Sequence, residues 1–214
     1  VSGARSGAGS SGPPVLAVGA GALDAAARAL AGGGVVGVPT DTVYGLAVDP
    51  WLAGSTDRLF AVKDRPREVV VPVLVADEAQ AGRLASELSP LALRLMRRWW
   101  PGALTVVVPA RADLAADLGG DGRSVGIRCP DHAFLRELCE RVGPLATTSA
   151  NRHGEAPLHT AASVAASLPG LCLVVDGGHC DRPPSSVVSV LDGGLRVLRE
   201  GAISARSLEE SLLA

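Results

Sequence analysis

The sequence predicts an α/β domain built on a single mixed, twisted sheet flanked by helices. Three observations carry this expectation. Short apolar runs rich in β-branched residues (VVGV at 35–38, VVVPVLV at 69–75, LTVVV at 104–108, SVGIR at 124–128, LCLVV at 171–175) are interspersed with segments of helical periodicity along the whole chain. Strands and helices do not alternate strictly, which favours a mixed sheet over a purely parallel, doubly wound one. A length of 214 residues with 47% hydrophobic content is enough for one sizeable core and short for two.

Residues 1–14 are rich in Gly, Ser and Ala, lack apolar periodicity and end in two prolines, so a disordered tail is expected there and one domain over 15–214. A short edge strand is expected at 16–18. LDAAARAL (23–30) places Leu23, Ala26, Ala27 and Leu30 on one helical face, and Gly32–Gly34 ends it. VVGV follows as a buried strand. Pro39 then removes a backbone donor, and Thr40, Asp41, Thr42 and Tyr44 crowd the strand's end, where open α/β sheets bind ligands.

A second helix is expected at 55–63, capped by Ser55 or Thr56. It runs into Lys63-Asp64-Arg65-Pro66-Arg67, which reads either as solvated surface or as a phosphate clamp. The run 69–75 is a strand with Pro72 at a bulge or edge. Helices at 76–84 and 91–100 follow, the second announced by Ser89-Pro90. Trp99 and Trp100 read as a helix end packed on the core, and 104–108 is a strand. Residues 110–122 form a polar, Gly-rich loop with two potential helical turns. SVGIR delivers Arg128 from an apolar strand, so this charge should be paired or ligand-facing. His132 reads as a cap or structural hydrogen-bonder on a helix at 133–141. Pro144–Ala146 leads into Thr147-Thr148-Ser149-Ala150-Asn151, a second polar strand end. Thr160 caps a helix over 160–167, and 171–175 is a strand. The runs 185–190 and 195–198 form a hairpin across Asp192-Gly193-Gly194, and 207–213 is a C-terminal helix.

Composition excludes several classes. The net charge of −2 is not that of a bulk nucleic-acid binder. No apolar run approaches the ~20 residues of a membrane helix, and no signal peptide is visible, so a cytoplasmic setting is expected. Cys129, Cys139, Cys172 and Cys180 show no CxxC pair, and Cys129/His132 and His179/Cys180 lack zinc-site spacing. No GxxxxGK[ST], GxGxxG or GxSxG is present. What remains is a set of cations (Lys63, Arg65, Arg67, Arg128, Arg199) with hydroxyl and amide groups (Thr40, Thr42, Ser149, Asn151). Such a set binds and orients anions without offering a strong nucleophile. It suits phosphoryl or nucleotidyl transfer, or the binding of an anionic polymer.

PTDTVYGL (39–46), KDRP (63–66), WPGALT (100–105), VGIR (125–128) and TSAN (148–151), in this order, resemble the YrdC-like threonylcarbamoyl-AMP synthase family over about residues 16–203. The resemblance implies a YrdC-like fold with a cationic concave cavity. It implies a nucleotidyltransferase that condenses L-threonine, bicarbonate and ATP, with Mg²⁺ travelling on the triphosphate, to threonylcarbamoyl-AMP and pyrophosphate for tRNA threonylcarbamoyladenosine modification. It also implies tRNA or downstream threonylcarbamoyl-transferase proteins as partners. By that similarity Lys63, Arg65 and Arg128 are catalytic. Lys63, Arg65, Ser149, Asn151 and Arg199 contact ATP, while Thr40, Arg128, the Thr147 backbone and Ser186 (or Ser185) hold L-threonine. The chain departs from many relatives at EVVVPVLV, where Asn-Pro-Leu and a His are common. PPSSVVSV likewise lacks their flanking acidic residues. Two alternatives stand beside this reading: a double-stranded RNA-binding module using the same cations, and a carbamoyl-transfer domain serving another acceptor.

Overall fold

A computed structural model describes residues 12–64, 70–152 and 154–212. The chain opens with β1 (Val15–Ala17) and α1 (Ala20–Ala31), then passes through β2 (Val36–Val38) and β3 (Gly45–Val48) to α2 (Ser55–Lys63) and the two-residue β4 (Val73–Leu74). Next come α3 (Glu78–Gly82), α4 (Pro90–Trp99), β5 (Leu104–Pro109) and β6 (Ser124–Arg128). The chain continues through α5 (Ala133–Val142), β7 (Leu145–Ser149), α6 (Ala161–Ser167) and β8 (Leu173–Asp176), and ends with β9 (Ser186–Ser189), β10 (Arg196–Arg199) and α7 (Ala205–Glu210). The strands form one sheet in the order β1-β8-β2-β3-β7-β4-β6-β5-β9-β10. The expected mixed character is present: β1/β8, β8/β2, β4/β6 and β5/β9 are parallel and the other pairs antiparallel.

Side chains alternate across a strand, and here the two faces have different fates. On one face Leu46, Val48, Val73, Val106, Val125, Ile127, Val174 and Val188 pack against α2, α3, α4, α6 and α7 in the larger core. On the other, Val36, Val38, Ala47, Leu145, Leu173 and Val175 are covered by Leu23, Ala26 and Leu30 of α1 and Phe134, Leu135 and Leu138 of α5. That pair of helices covers only the β1-to-β4 part of its face. Further along, the same alternation presents Ser124, Gly126 and Arg128 of β6 and Thr105 and Val107 of β5 to an open concavity. The apolar spacing of α1 and α5 therefore fixes both the second core and the wall where the cavity begins.

Several local expectations are corrected. The 45–48 segment, read only as the end of a polar turn, is β3 and pairs with both β2 and β7. β4 is an inner strand, and Pro72 precedes it with its carbonyl accepting from Thr147 N–H at 2.9 Å, so the proline is neither at an edge nor in a bulge. The N-cap of α2 is Gly54 at φ 77°, a left-handed conformation suited to glycine. Thr56 instead donates its hydroxyl to the Asp117 carbonyl. His132 makes no capping bond, and its buried Nδ1 has no hydrogen-bond partner among the described residues. No helix forms in the 110–122 loop, which is tied down by Asp117 N–H to Pro50 O and by Val71 N–H to Leu118 O. The caps expected at Ser89 and Thr160 are present, the latter as a capping box with Ser163. All four cysteines are free.

Candidate active site

The open half of the sheet face floors a cavity of about 670 Å³. Its rim is formed by the 40–45 turn, the 147–151 strand end, Glu155 and Pro157, and by Ser185, Leu198 and Arg199 on the far side. Small residues make the space. A Cβ on Gly45 would lie 2.8 Å from the γ-methyl of Thr147, and one on Gly126 would lie 3.3 Å from that of Thr105.

Arg128 is the more buried of the two arginines in the lining. It emerges from β6 only 6% exposed, and each terminal nitrogen of its guanidinium is held. Nε donates to Gly102 O at 3.0 Å, one terminal nitrogen to Thr42 Oγ1 at 3.1 Å and the other to Asp41 Oδ1 at 2.6 Å. The Thr42 acceptor is itself fixed. Thr40 donates its hydroxyl to Val43 O at 2.7 Å and accepts from Thr42 N–H at 3.0 Å. The Thr42 hydroxyl must therefore be the donor in the 3.0 Å Thr40–Thr42 pair. The PTDT turn is thus an internally bonded brace for one arginine. Behind it, Tyr44 donates to Gly178 O at 2.8 Å and accepts from Gly177 N–H at 3.1 Å, locking the turn after β8. Burial, with Asp176 close by, pushes the Tyr44 phenol up to about 12.

Arg199 is the second arginine of the lining. Its Nε and one terminal nitrogen donate to Ser185 O at 3.2 and 2.8 Å, and the same nitrogen approaches Ser185 Oγ at 3.3 Å. Ser185 Oγ also pairs with Thr105 Oγ1 at 3.0 Å. Among the described residues no carboxylate pairs with Arg199. Partial burial, then the neighbouring charge of Arg128, lower its pKa from the usual arginine range, which still leaves it cationic at neutral pH.

Lys63, at the end of α2, is 1% exposed and donates to Ser149 O and, at 3.5 Å, to Asn151 Oδ1. Asn151 Nδ2 donates to Arg152 O and Glu155 O, both at 2.8 Å, which ties Glu155 to Asn151 at the cavity edge. The structure thus brings Thr40, Arg128, Thr147, Ser149, Asn151 and Arg199 to one cavity, with Lys63 bonded to two of them. Arg65 lies outside the described residues. Ser186 is not in the cavity. It is fully buried on the opposite face, where its hydroxyl bonds Ile203 O at 2.5 Å, Gly201 N–H at 2.9 Å and Ile203 N–H at 3.0 Å. The cavity serine is Ser185, because alternation along β9 sends the two neighbours to opposite faces. The Thr147 N–H is taken by Pro72 O, and its side-chain hydroxyl donates to Leu145 O at 3.2 Å.

Sequence reasoning offered Ser185 only as the alternative to Ser186, and it did not pair Asp41 with Arg128 or Thr105 with Ser185. The signal for Asp41 was available: a buried arginine needs a counter-charge, and the other polar strand end holds a carboxylate. Among the described residues no cluster of three or more His, Cys, Asp or Glu could hold a metal ion, and Glu155 is the carboxylate in the cavity lining.

An α/β domain whose sheet floors a cavity with two arginines and hydroxyl-rich strand ends belongs to the class of anion- and nucleotide-handling enzymes. Residues 28–201 match the Sua5/YciO/YrdC family, described under telomere recombination, and the chain belongs to that family. A Pseudomonas aeruginosa protein named threonylcarbamoyl-AMP synthase is 38% identical over 135 residues, covering 63% of this chain and 73% of that protein. A Bacillus subtilis protein of the same name is 35% identical over 179 residues, covering 82% of this chain and 52% of its own length. The crystal structure of P. abyssi Sua5 complexed with L-threonine superposes with a TM-score of 0.87 at 28% identity, over 93% of this chain and 60% of that longer one. E. coli YciO, at 20% identity and a TM-score of 0.83, shares the fold over 92% of this chain and 99% of its own. Among the described residues no helix is long and apolar enough to cross a membrane.

Proposed function

We propose that this chain is an L-threonylcarbamoyladenylate synthase, condensing L-threonine, bicarbonate and ATP to threonylcarbamoyl-AMP and pyrophosphate. The observation that carries the reading is the pair of arginines lining one cavity, each held by its own scaffold. In the reaction the threonine amine and bicarbonate form a carbamate, the new C–N bond replacing a C–O bond whose oxygen leaves as water. The carbamate oxygen then attacks the α-phosphorus of ATP, and pyrophosphate leaves with the electron pair of the broken P–O bond. Two anions must meet, and cations fixed in the cavity lower that cost.

The Arg128 fork receives the amino-acid carboxylate, with Thr40, Thr147 and Ser185 on the cavity wall beside it. Arg199, Lys63 and Arg65 take the phosphates, with Ser149 and Asn151 beside the nucleotide. ATP enters as its Mg²⁺ complex, the ion being part of the substrate and held by phosphate oxygens. Catalysis on this assignment is positioning and charge stabilisation. The product is a mixed anhydride that serves threonylcarbamoylation of the adenosine 3′ to the anticodon in tRNA. No observation favours the RNA-binding module or another carbamoyl acceptor.

The test is pyrophosphate release from ATP, measured with and without L-threonine and with and without bicarbonate. Release should require both. Release that persists at full rate without L-threonine refutes the reading.

A further inference from the structure

Arg199 reaches the cavity through an irregularity of its strand. Along β10, Val197 stands opposite Val188 of β9 and Arg199 opposite Val187, so Leu198 is an extra residue, a β-bulge. Val197 packs on the larger core, and unbroken alternation would carry Arg199 to that same face. The bulge instead brings Leu198 and Arg199 together onto the cavity lining. β10 is the last strand of the sheet, and a bulge at a sheet edge does not by itself settle where a long guanidinium points. Among the described residues the guanidinium is held by Ser185 alone, through its carbonyl at 3.2 and 2.8 Å and its hydroxyl at 3.3 Å. An arginine only donates, so Ser185 Oγ accepts from it. The 3.0 Å bond between Ser185 Oγ and Thr105 Oγ1 then fixes the serine, whichever hydroxyl supplies the proton.

Thr105 is the fixed end of this relay. It lies on β5, between β6 and β9, and is 4% exposed. Its γ-methyl lies 3.3 Å from where a Cβ on Gly126 would stand, and a β-branched side chain in such a place keeps one rotamer. Among the described residues its hydroxyl bonds only Ser185. We infer that Thr105 is a positioning residue: through the Ser185 hydroxyl it aims the Arg199 guanidinium, whose second terminal nitrogen keeps its protons for an anion in the cavity. Thr105 acts on that anion through Arg199, not by touching it. The anion is ATP phosphate only under the function proposed above; the relay from Thr105 to Arg199 does not depend on it.

The experiment is a double-mutant cycle read by calorimetric titration with inorganic pyrophosphate. Thr105→Val keeps the methyl over Gly126 and removes the hydroxyl alone. It should raise the pyrophosphate Kd by roughly three- to tenfold. Thr105→Ser, which restores the hydroxyl, should stay within about twofold of the wild type. Arg199→Lys keeps the charge but loses the planar fork that Ser185 holds. In that background Thr105→Val should change the Kd by less than about twofold. Thr105→Ala takes the place of the valine variant should that chain fail to fold. Equal penalties for Thr105→Val in both backgrounds, a Thr105→Ser chain as weak as Thr105→Val, a Thr105→Val chain as tight as the wild type, or a wild type that binds no pyrophosphate each overturn the proposal. If the coupling is found while pyrophosphate release from ATP proceeds without L-threonine, the functional reading falls and the positioning role stands. An additive cycle beside release that requires L-threonine and bicarbonate removes the role and leaves the function.

Discussion

Ser185 and Ser186 are chemically identical neighbours on opposite faces of one strand, and replacing each by alanine should give opposite phenotypes. Ser186 Oγ satisfies two backbone N–H groups, of Gly201 and Ile203, and donates to the Ile203 carbonyl, all in a site with no solvent access. The close approach leaves no room for water. A Cβ placed on Gly201 would lie 2.2 Å from Pro184 O, so the two segments are already in contact. Ser186→Ala therefore orphans two donors and one acceptor, at about 1–3 kcal/mol each before relaxation. A net loss of roughly 3–5 kcal/mol corresponds to a Tm lowered by about 8–15 °C for a domain of this size. Ser185 Oγ bonds only other polar side chains at the cavity, Thr105 and Arg199. Ser185→Ala should cost about 1 kcal/mol in stability and instead raise the KM for L-threonine by roughly tenfold, the effect of losing a placed polar contact. Differential scanning calorimetry and steady-state pyrophosphate release at 25 °C read the two quantities separately. A stable Ser186→Ala chain with a raised KM, beside an unstable Ser185→Ala chain with a normal one, would refute the assignment of faces.

Other outcomes follow from the same geometry. Arg128→Ala leaves Asp41 buried without its partner and should cost about 3–5 kcal/mol in chemical denaturation, as well as abolishing pyrophosphate release; an unchanged denaturation midpoint would refute the buried pair. Gly45→Val drives a branched side chain into the Thr147 methyl and should abolish L-threonine binding by calorimetry. Because the Tyr44 phenol is pushed up to about 12, the folded chain holds that proton more tightly than the unfolded one. Its stabilising contribution is complete below the ordinary tyrosine value near 10 and is lost as pH rises through about 12. Tyr44→Phe should flatten that stretch of the stability profile, and an identical slope in both chains would show that the phenol does not report on folding.

Much of the fold was legible because alternation and helical spacing are local. SVGIR states in five residues that Ser124, Gly126 and Arg128 share one face, and the structure uses that face for the cavity. What alternation cannot state is which face looks where. Alternation makes Ser185 and Ser186 diverge, yet the choice between them depends on β5, about 80 residues earlier, against which β9 pairs in parallel. β4 shows the converse limit. Its apolar run spans seven residues, but among the described ones the ladder register covers only Val73 and Leu74, between β7 and β6, with a proline before them. The Arg128–Asp41 pair joins residues 87 positions apart, and no spacing rule reaches that far. The family likeness brought the right segments together, while the roles of individual atoms needed the fold.

The sheet is clad unevenly, and this has a mechanical consequence. Strands β8, β2 and β3 carry helices on both faces, whereas β5, β9 and β10 carry them on one. Arg128 reaches across to the PTDT turn on the doubly supported side, while Arg199 rides the outermost strand of the singly supported side. The gap between them is therefore governed by how far a half-braced ribbon coils. A molecule gripping both arginines would act as a strut, damping that coiling and slowing amide exchange along β9 and β10 far more than along the sandwiched strands.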